Sequence, residues 1–438
     1  LKTFTLTFVF FLITGIQFVH SQDVLTVEEA IQIGLNNNFG IQLSQNEYEI
    51  ASNNRTLGNA GFLPTIELSA SQTERVEDSE FEAGGESQTT SGARSSVKNA
   101  AVNLDWTIFD GLQMFAAYDR LTELEKMGEQ SFRLDAELLV SQIINSYYNI
   151  IRLNEQLNVL QNTVEVSLER IEIEETKVDL GSGSEYELLQ ARSDLSADRA
   201  ALLREQNILT EAKITLNQLL SRNPDTDFTV SGNIPVNRSL SREELYQKLM
   251  AENSELRIAR LQQRIAELEL KELRAERYPE ITVTSGYTFN RNESGGGFIR
   301  FNESTGFAIG VTARINIFDG FNTNRRVQNA KINRKNSELL LDENKLRLES
   351  DFLAIFRSYQ NSLELVDLEE ENLENAEETL EIALERFRLG FISSLELREA
   401  QRTFLSAENR LITAKFEAKI AETELLQLSG ELQSLTIQ

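Results

Sequence analysis

The 438-residue chain contains no cysteine and a single histidine, His20. No disulfide, thiolate metal site or cysteine nucleophile is available to it. His20 lies in a segment read below as removed, so the remaining protein also lacks the commonest general base and the usual zinc ligand. Carboxylate chemistry is left, but 69 aspartates and glutamates single out no catalytic pair. No G-x-S-x-G turn, P-loop or zinc-ligand spacing occurs. Nothing here asks for a metal or a cofactor. Proline is nearly absent: Pro64, Pro224, Pro235 and Pro279 are the four. A proline inside a helix removes a donor and clashes with the preceding turn. The proline-free stretches 65–223 and 280–438 therefore have room for long helices. Basic residues are in deficit, with a formal net charge of −26. Phosphate binding needs lysine and arginine surfaces, so nucleic acid is disfavoured as a partner.

Long apolar runs are missing except at the start. Lys2, the apolar run Phe4–Val19 and the small Ser21 read as a secretory signal over 1–22, with Val19-His20-Ser21 suited to cleavage before Gln22. The run is shorter than the ~20 residues of a spanning helix, which sets aside a helical membrane anchor.

What is present is present twice. Thr107-Ile108-Phe109-Asp110-Gly111 returns as Asn316-Ile317-Phe318-Asp319-Gly320, and Leu180-Gly181 as Leu389-Gly390, both 209 residues on. Leu25 matches Leu240 and Pro64 matches Pro279 at an offset of 215. The difference of six falls between Pro64 and Phe109, where the first repeat has the longer loop. Internal repetition precedes any assignment of elements. It divides the chain into a first repeat over 23–220, a linker over 221–240, a second repeat over 241–432 and a tail over 433–438. Asn223-Pro224-Asp225 marks a turn in the linker.

Each repeat has one order of parts. Short amphipathic helices cover 26–60 and 241–277. Two alternating runs follow, expected as strands over 62–73 and 98–109, then over 279–290 and 305–318. Val102, Leu104, Trp106 and Ile108 alternate with polar residues, as do Phe307, Ile309, Val311, Ala313, Ile315 and Ile317. Period two gives one apolar and one polar face. That suits a barrel with lipid outside and water inside, and equally a half-buried sheet. The connecting segments 74–97 and 290–304, the latter with Gly295-Gly296-Gly297, are polar and read as mobile loops. Trp106, the only tryptophan, fits either an aromatic girdle or ordinary burial.

Four strands cannot close a membrane barrel, whose smallest members have about eight. Open edges are not tolerated in lipid, so strands in a membrane require several chains. Each strand pair leads into a helix of about 70 residues, a glycine turn and a returning helix of about 40. Ile150, Leu157, Val164, Ile171 and Val178 recur every seven residues, as do Tyr359, Val366, Leu373, Leu380 and Phe387. Sustained sevens indicate coiled-coil packing. Three chains would place twelve helical strands around one axis, which favours a homotrimer with a lumen. The competing reading is a periplasmic coiled-coil structural or adaptor protein, which leaves the four amphipathic strands unexplained.

The order of parts, the duplication, Ile-Phe-Asp-Gly after each second strand, and Leu389-Gly390 followed by Ser393-Ser394-Leu395-Glu396 and Glu399-Ala400-Gln401 resemble the TolC-like outer-membrane efflux proteins. The resemblance covers about 23–432. It implies a mainly α chain with a small β part: a long α-helical coiled-coil barrel, plus four strands contributing to a trimeric twelve-stranded transmembrane β-barrel. It implies a passive channel in the outer-membrane lipid, with a periplasmic extension and no enzymatic step. Its partners would be a periplasmic adaptor protein and an inner-membrane transporter, as in tripartite efflux or type I secretion. Carried over by position, Leu180, Gly181, Leu389, Gly390 and Ser393 become candidates for adaptor docking. Glu187, Glu396 and Glu399 become candidates for an acidic periplasmic constriction. The family's tyrosine–arginine lock at the second turn has no counterpart, because Phe387 and Ile392 stand there, with Tyr186 at the partner position.

Overall fold

The computed structural model describes residues 24–230, 232–296 and 299–432. The expected signal segment and the tail 433–438 lie outside the described residues. The first repeat runs β1 (Val24–Leu25), α1 (Val27–Asn37), α2 (Phe39–Asn54), β2 (Thr65–Ala83), β3 (Glu86–Phe109), α3 (Gln113–Asp179) and α4 (Glu185–Leu219). After β4 (Thr229–Val230) in the linker, the second repeat gives α5 (Arg242–Glu252), α6 (Ser254–Ala275), β5 (Glu280–Ser294), β6 (Phe301–Arg314), α7 (Asn322–Arg388) and α8 (Ser394–Leu428). α3 and α7 are both 67 residues long, and α4 and α8 both 35. Each pair of short helices is broken at one asparagine, Asn38 or Asn253, whose ψ near 125° departs from the helix. Thr26 and Glu29 close a capping box at the start of α1, satisfying donors that the first helical turn leaves open.

By compactness the chain forms two units: residues 24–38, 139–240 and 357–424 make the first, and 39–138, 241–356 and 425–432 the second. In the first unit, Ile143, Ile150, Leu153, Leu216 and Phe228 are buried. Complete burial of such a side chain stabilises by about 1.5–3 kcal/mol. α1 lies so close to α3 that a Cβ on Gly34 would meet Ile143. The linker is more structured than a turn alone, since β4 pairs in parallel with β1. Val366, Leu411 and Ala414 join α7 to α8.

The second unit carries one antiparallel sheet in the order β2-β3-β5-β6. Directly opposed residues share a face. The register places Leu68, Val102, Tyr287 and Phe307 side by side across the four strands, and Glu67, Asn103, Gly286 and Ala308 on the other face. The apolar face is uncovered in the single chain: Ile66, Leu68, Phe307, Ile309 and Val311 are exposed. The Trp106 indole N–H donates to the Phe62 carbonyl (2.9 Å), and the ring stays partly exposed.

The strand limits differ from those expected. β2 covers Thr65–Ala83 rather than 62–73, and β3 covers Glu86–Phe109 rather than 98–109. The segment 74–97 is thus not a loop but a ribbon closed by Gly84 and Gly85, both at positive φ. A Gly-Gly pair permits the tight hairpin whose twist matches the strands, and polar side chains do not prevent a backbone ladder. β5 and β6 cover Glu280–Ser294 and Phe301–Arg314 rather than 279–290 and 305–318. Pro279 has no N–H to donate, so β6 loses its partner beyond Arg314, which opposes Glu280. Ile315, Ile317 and Phe318 accordingly leave the sheet. Gly295, just after β5, is also held against a neighbouring strand. Gly295 donates to Arg94 O (2.7 Å), and a Cβ there would stand 2.6 Å from the same oxygen.

The repeated Phe-Asp-Gly turns each strand pair into its long helix. Asp110 accepts from Met114 N (2.8 Å) and Asp319 from Thr323 N (2.6 Å), each serving the first helical turn. Gly111 and Gly320 have positive φ, and so do the bulky residues after them, Leu112 and Phe321. A bulky residue in that region is strained, and the turn imposes the strain in both repeats.

Candidate functional site

The two helical hairpin turns lie in the first unit. Both close in the same way. Gly181 donates to Val178 O (2.9 Å) and Ser182 to Lys177 O (2.9 Å); Gly390 donates to Phe387 O (3.0 Å) and Phe391 to Arg386 O (2.8 Å). Gly181 and Gly390 have φ of 73° and 75°. This is the left-handed helix end that glycine adopts without a Cβ penalty. Leu180 and Leu389, just before the glycines, are 77% and 68% exposed. Tyr186, Phe391 and Leu395 are exposed too, so each turn presents an uncovered apolar tip.

The candidate carboxylates differ. Glu187 and Glu396 occupy the same place, three residues after Ser184 and Ser393. Glu396 accepts from both the backbone N–H and the hydroxyl of Ser393 (2.8 Å each), while Ser393 Oγ accepts from Glu396 N (3.4 Å). The backbone bond, then the hydroxyl, holds the Glu396 carboxyl below the usual glutamate range. Ser184 makes no side-chain cap. Glu187 instead lines a cleft of about 430 Å³ with Arg170, Tyr186, Asp194 and Arg398. Glu399 is exposed on α8.

The residues at and around the expected lock positions make other contacts. Phe387 is buried, with Lys177 Nζ 3.9 Å from its ring centre. Arg388 pairs with Glu169 (2.6 Å) and Glu385 (2.5 Å). Arg398 grips Asp198 with two parallel bonds (2.7 and 2.8 Å), and Ser167 donates to the same carboxylate (2.6 Å). Arg170, only 1% exposed, bonds Asp194 (2.5 Å). The Asp198 hydrogen bond raises the pKa of Arg398 against the opposing effect of burial. Arg170, Asp194, Asp198 and Arg398 belong to no motif of the sequence. The signal present in the sequence is the helical spacing of polar Thr163, Ser167, Arg170 and Glu174 beside the apolar heptad of α3. Among the described residues no His, Asp or Glu cluster is arranged for a metal ion, and no helix is long and apolar enough to cross a membrane.

The model of the outer membrane efflux protein family matches residues 30–222 and 245–431. The chain belongs to this family. Protein CyaE of Bordetella pertussis is 24% identical over 425 residues, covering 95% of this chain and 86% of that protein. The cation efflux system protein CusC of Escherichia coli K12 is 22% identical, covering 73% of this chain and 70% of the relative. The crystal structure of the outer membrane protein VceC of Vibrio cholerae superposes with a TM-score of 0.75 at 17% identity, over 92% of this chain and 96% of that one. This outer membrane efflux protein therefore has the TolC-like fold, mainly helical with a small sheet, and is a channel protein of the Gram-negative outer membrane.

Proposed function

We propose that three chains close one twelve-stranded barrel in the outer membrane and line a passive duct that serves an inner-membrane transporter through a periplasmic adaptor. The observation that carries this reading is the four-stranded sheet with an uncovered apolar face and two unpaired edges, β2 and β6. In lipid each unpaired N–H or C=O costs several kcal/mol, and pairing β6 of one chain with β2 of the next removes both edges. The repeats 23–220 and 241–432 then each supply two strands and one hairpin. The duct performs no chemistry of its own; the transporter supplies the energy and selects the cargo.

The exposed turns at Leu180, Gly181, Leu389, Gly390 and Ser393 form the adaptor-docking surface in this reading. Glu187 and Glu399 supply the negative constriction, with Glu396 a lesser contributor because its carboxylate is engaged by Ser393. Rings of like charge in a narrow pore favour cations. Glu187→Gln with Glu399→Gln should lower cation preference in planar-bilayer recordings, and unchanged selectivity would remove that role. The test of the whole reading is the detergent-corrected mass of the outer-membrane particle by light scattering. Three chain masses support the duct, and a detergent-free monomer sinks it.

A further inference from the structure

The internal repeat is itself a guide to how one chain meets the next. Within the chain, β3 and β5 are neighbours in the sheet. The helix after β3 is α3, and the helix before β5 is α6. These two helices touch: Ser254 Oγ donates to Glu137 (2.9 Å), and Arg120 pairs with Glu272 (2.7 Å). Ser254 and Glu137 are both buried there.

The repeat offsets convert this contact into a second one. Moving α3 forward by 209 gives α7, and moving α6 back by 215 gives α2. α7 follows the free edge strand β6, and α2 precedes the free edge strand β2. Ser254 becomes Phe39 and Glu137 becomes Leu346. Phe39 is 69% exposed and Leu346 is 66% exposed. Neighbouring equivalents follow suit. Leu43 and Ile50 form an exposed stripe with Phe39 on α2, while Ile332 and Leu339 extend Leu346 at seven-residue spacing on α7. The corresponding α3 residues, Glu123, Gln130 and Glu137, are polar.

We infer that the α2 stripe of one chain packs on the α7 stripe of a second copy, with Phe39 against Leu346, repeating between chains the α6–α3 contact inside each chain. This rests on the shared-barrel reading above, because pairing β6 with β2 brings α7 and α2 to the same seam. The occupant is a second copy rather than another protein, because the two stripes continue the two free edges of one sheet. The geometry is heterologous: one patch meets a different patch, as closure into a ring requires. The substitution pattern has a physical sense. A hydrogen-bonded pair can form during folding of one chain, whereas association between chains gains from apolar surface removed from water.

The absence of cysteine makes the test clean. Phe39→Cys with Leu346→Cys is oxidised in isolated membranes and run on a denaturing gel without reductant, alongside both single variants. Disulfides form only when Cβ atoms come within about 3.5–4.5 Å. The double variant should run mainly as a covalent trimer and the single variants as monomers. Light scattering on the same samples separates the failures. Unlinked chains in a particle of three chain masses would overturn this seam and leave the trimer standing. Unlinked chains in a particle of one chain mass would overturn the seam together with the shared-barrel reading beneath it.

Discussion

The two hairpin turns share a backbone and differ in how they are held. In the second, Ser393 and Glu396 cap α8 internally, and Tyr359, Val366 and Phe387 of the heptad are buried. In the first, α4 begins without a side-chain cap, and over its last turns α3 buries the polar Thr163, Ser167, Arg170 and Glu174. Of the first heptad Ile150 is buried and Leu157, Val164, Ile171 and Val178 are half-buried, as Leu373 and Leu380 are in the second. The second hairpin therefore has a side-chain cap at its turn, whereas the first is held by charged pairs, Arg170 with Asp194 inside it and Asp198 with Arg398 of the second. A helical hairpin needs its turn hydrogen bonds and a filled interior, and either chemistry can fill it provided every buried charge has a partner.

Removing such a partner is the strongest way to break the comparison. Asp198→Ala leaves Arg398 facing a half-buried gap, with an expected loss of about 2–4 kcal/mol. Faster amide hydrogen exchange over 394–405 would report it, while exchange near the sheet stays unchanged. The next effect belongs to the first turn alone. A Cβ on Gly183 would lie 2.7 Å from Val178 N and 2.8 Å from the Lys177 carbonyl carbon, whereas Ile392 stands at the matching position of the second turn. Gly183→Ala should cost roughly 1–3 kcal/mol by overpacking, measured as a lower denaturation midpoint. Gly181→Ala and Gly390→Ala, with open space around each, should cost about 1–2 kcal/mol apiece through the left-handed backbone alone. Unequal losses at these two would show that the turns are not equivalent.

The caps give the smallest contrast. Ser393→Ala should cost about 1 kcal/mol and Ser184→Ala a few tenths, since only the former loses a side-chain cap. The same cap has a pH signature. The bonds from Ser393 hold the folded pKa of Glu396 below the ordinary glutamate value, so its contribution is complete above that ordinary value and fades as pH falls through the folded pKa. Hydrogen exchange at 394–397 should accelerate on acidification in the parent. In Glu396→Gln that dependence should vanish, and its persistence would place the titrating group elsewhere.

Much of the fold is legible in the sequence. Scarce proline and the seven-residue periods gave the two long helices, and Leu180-Gly181 with Leu389-Gly390 gave their turns. Alternation found all four strands and their apolar face. The ribbon over 74–97 is hidden by its polar composition, which resembles a loop, although Gly84-Gly85 is a hairpin signal. Strand ends were missed because they belong to the partner: Arg314 ends β6 only because Glu280 is the last ladder residue opposite it. Of the candidate site, the turn glycines were visible, and the charged pairs were not.

By itself the sequence determined periodicity, and with it which residues share a face, where helices must stop, and that everything occurs twice. Those properties are local, set by φ and ψ preferences and by the spacing of apolar side chains along a few turns. The tertiary structure decided partners. Arg398 meets Asp198 across 200 residues, and β3 meets β5 rather than β2 meeting β6 within one chain. In a chain written twice, every face has two equivalent candidates to pack against. Local pattern cannot rank them; only the packing of the whole, which must bury both faces and leave no charge alone, selects between them.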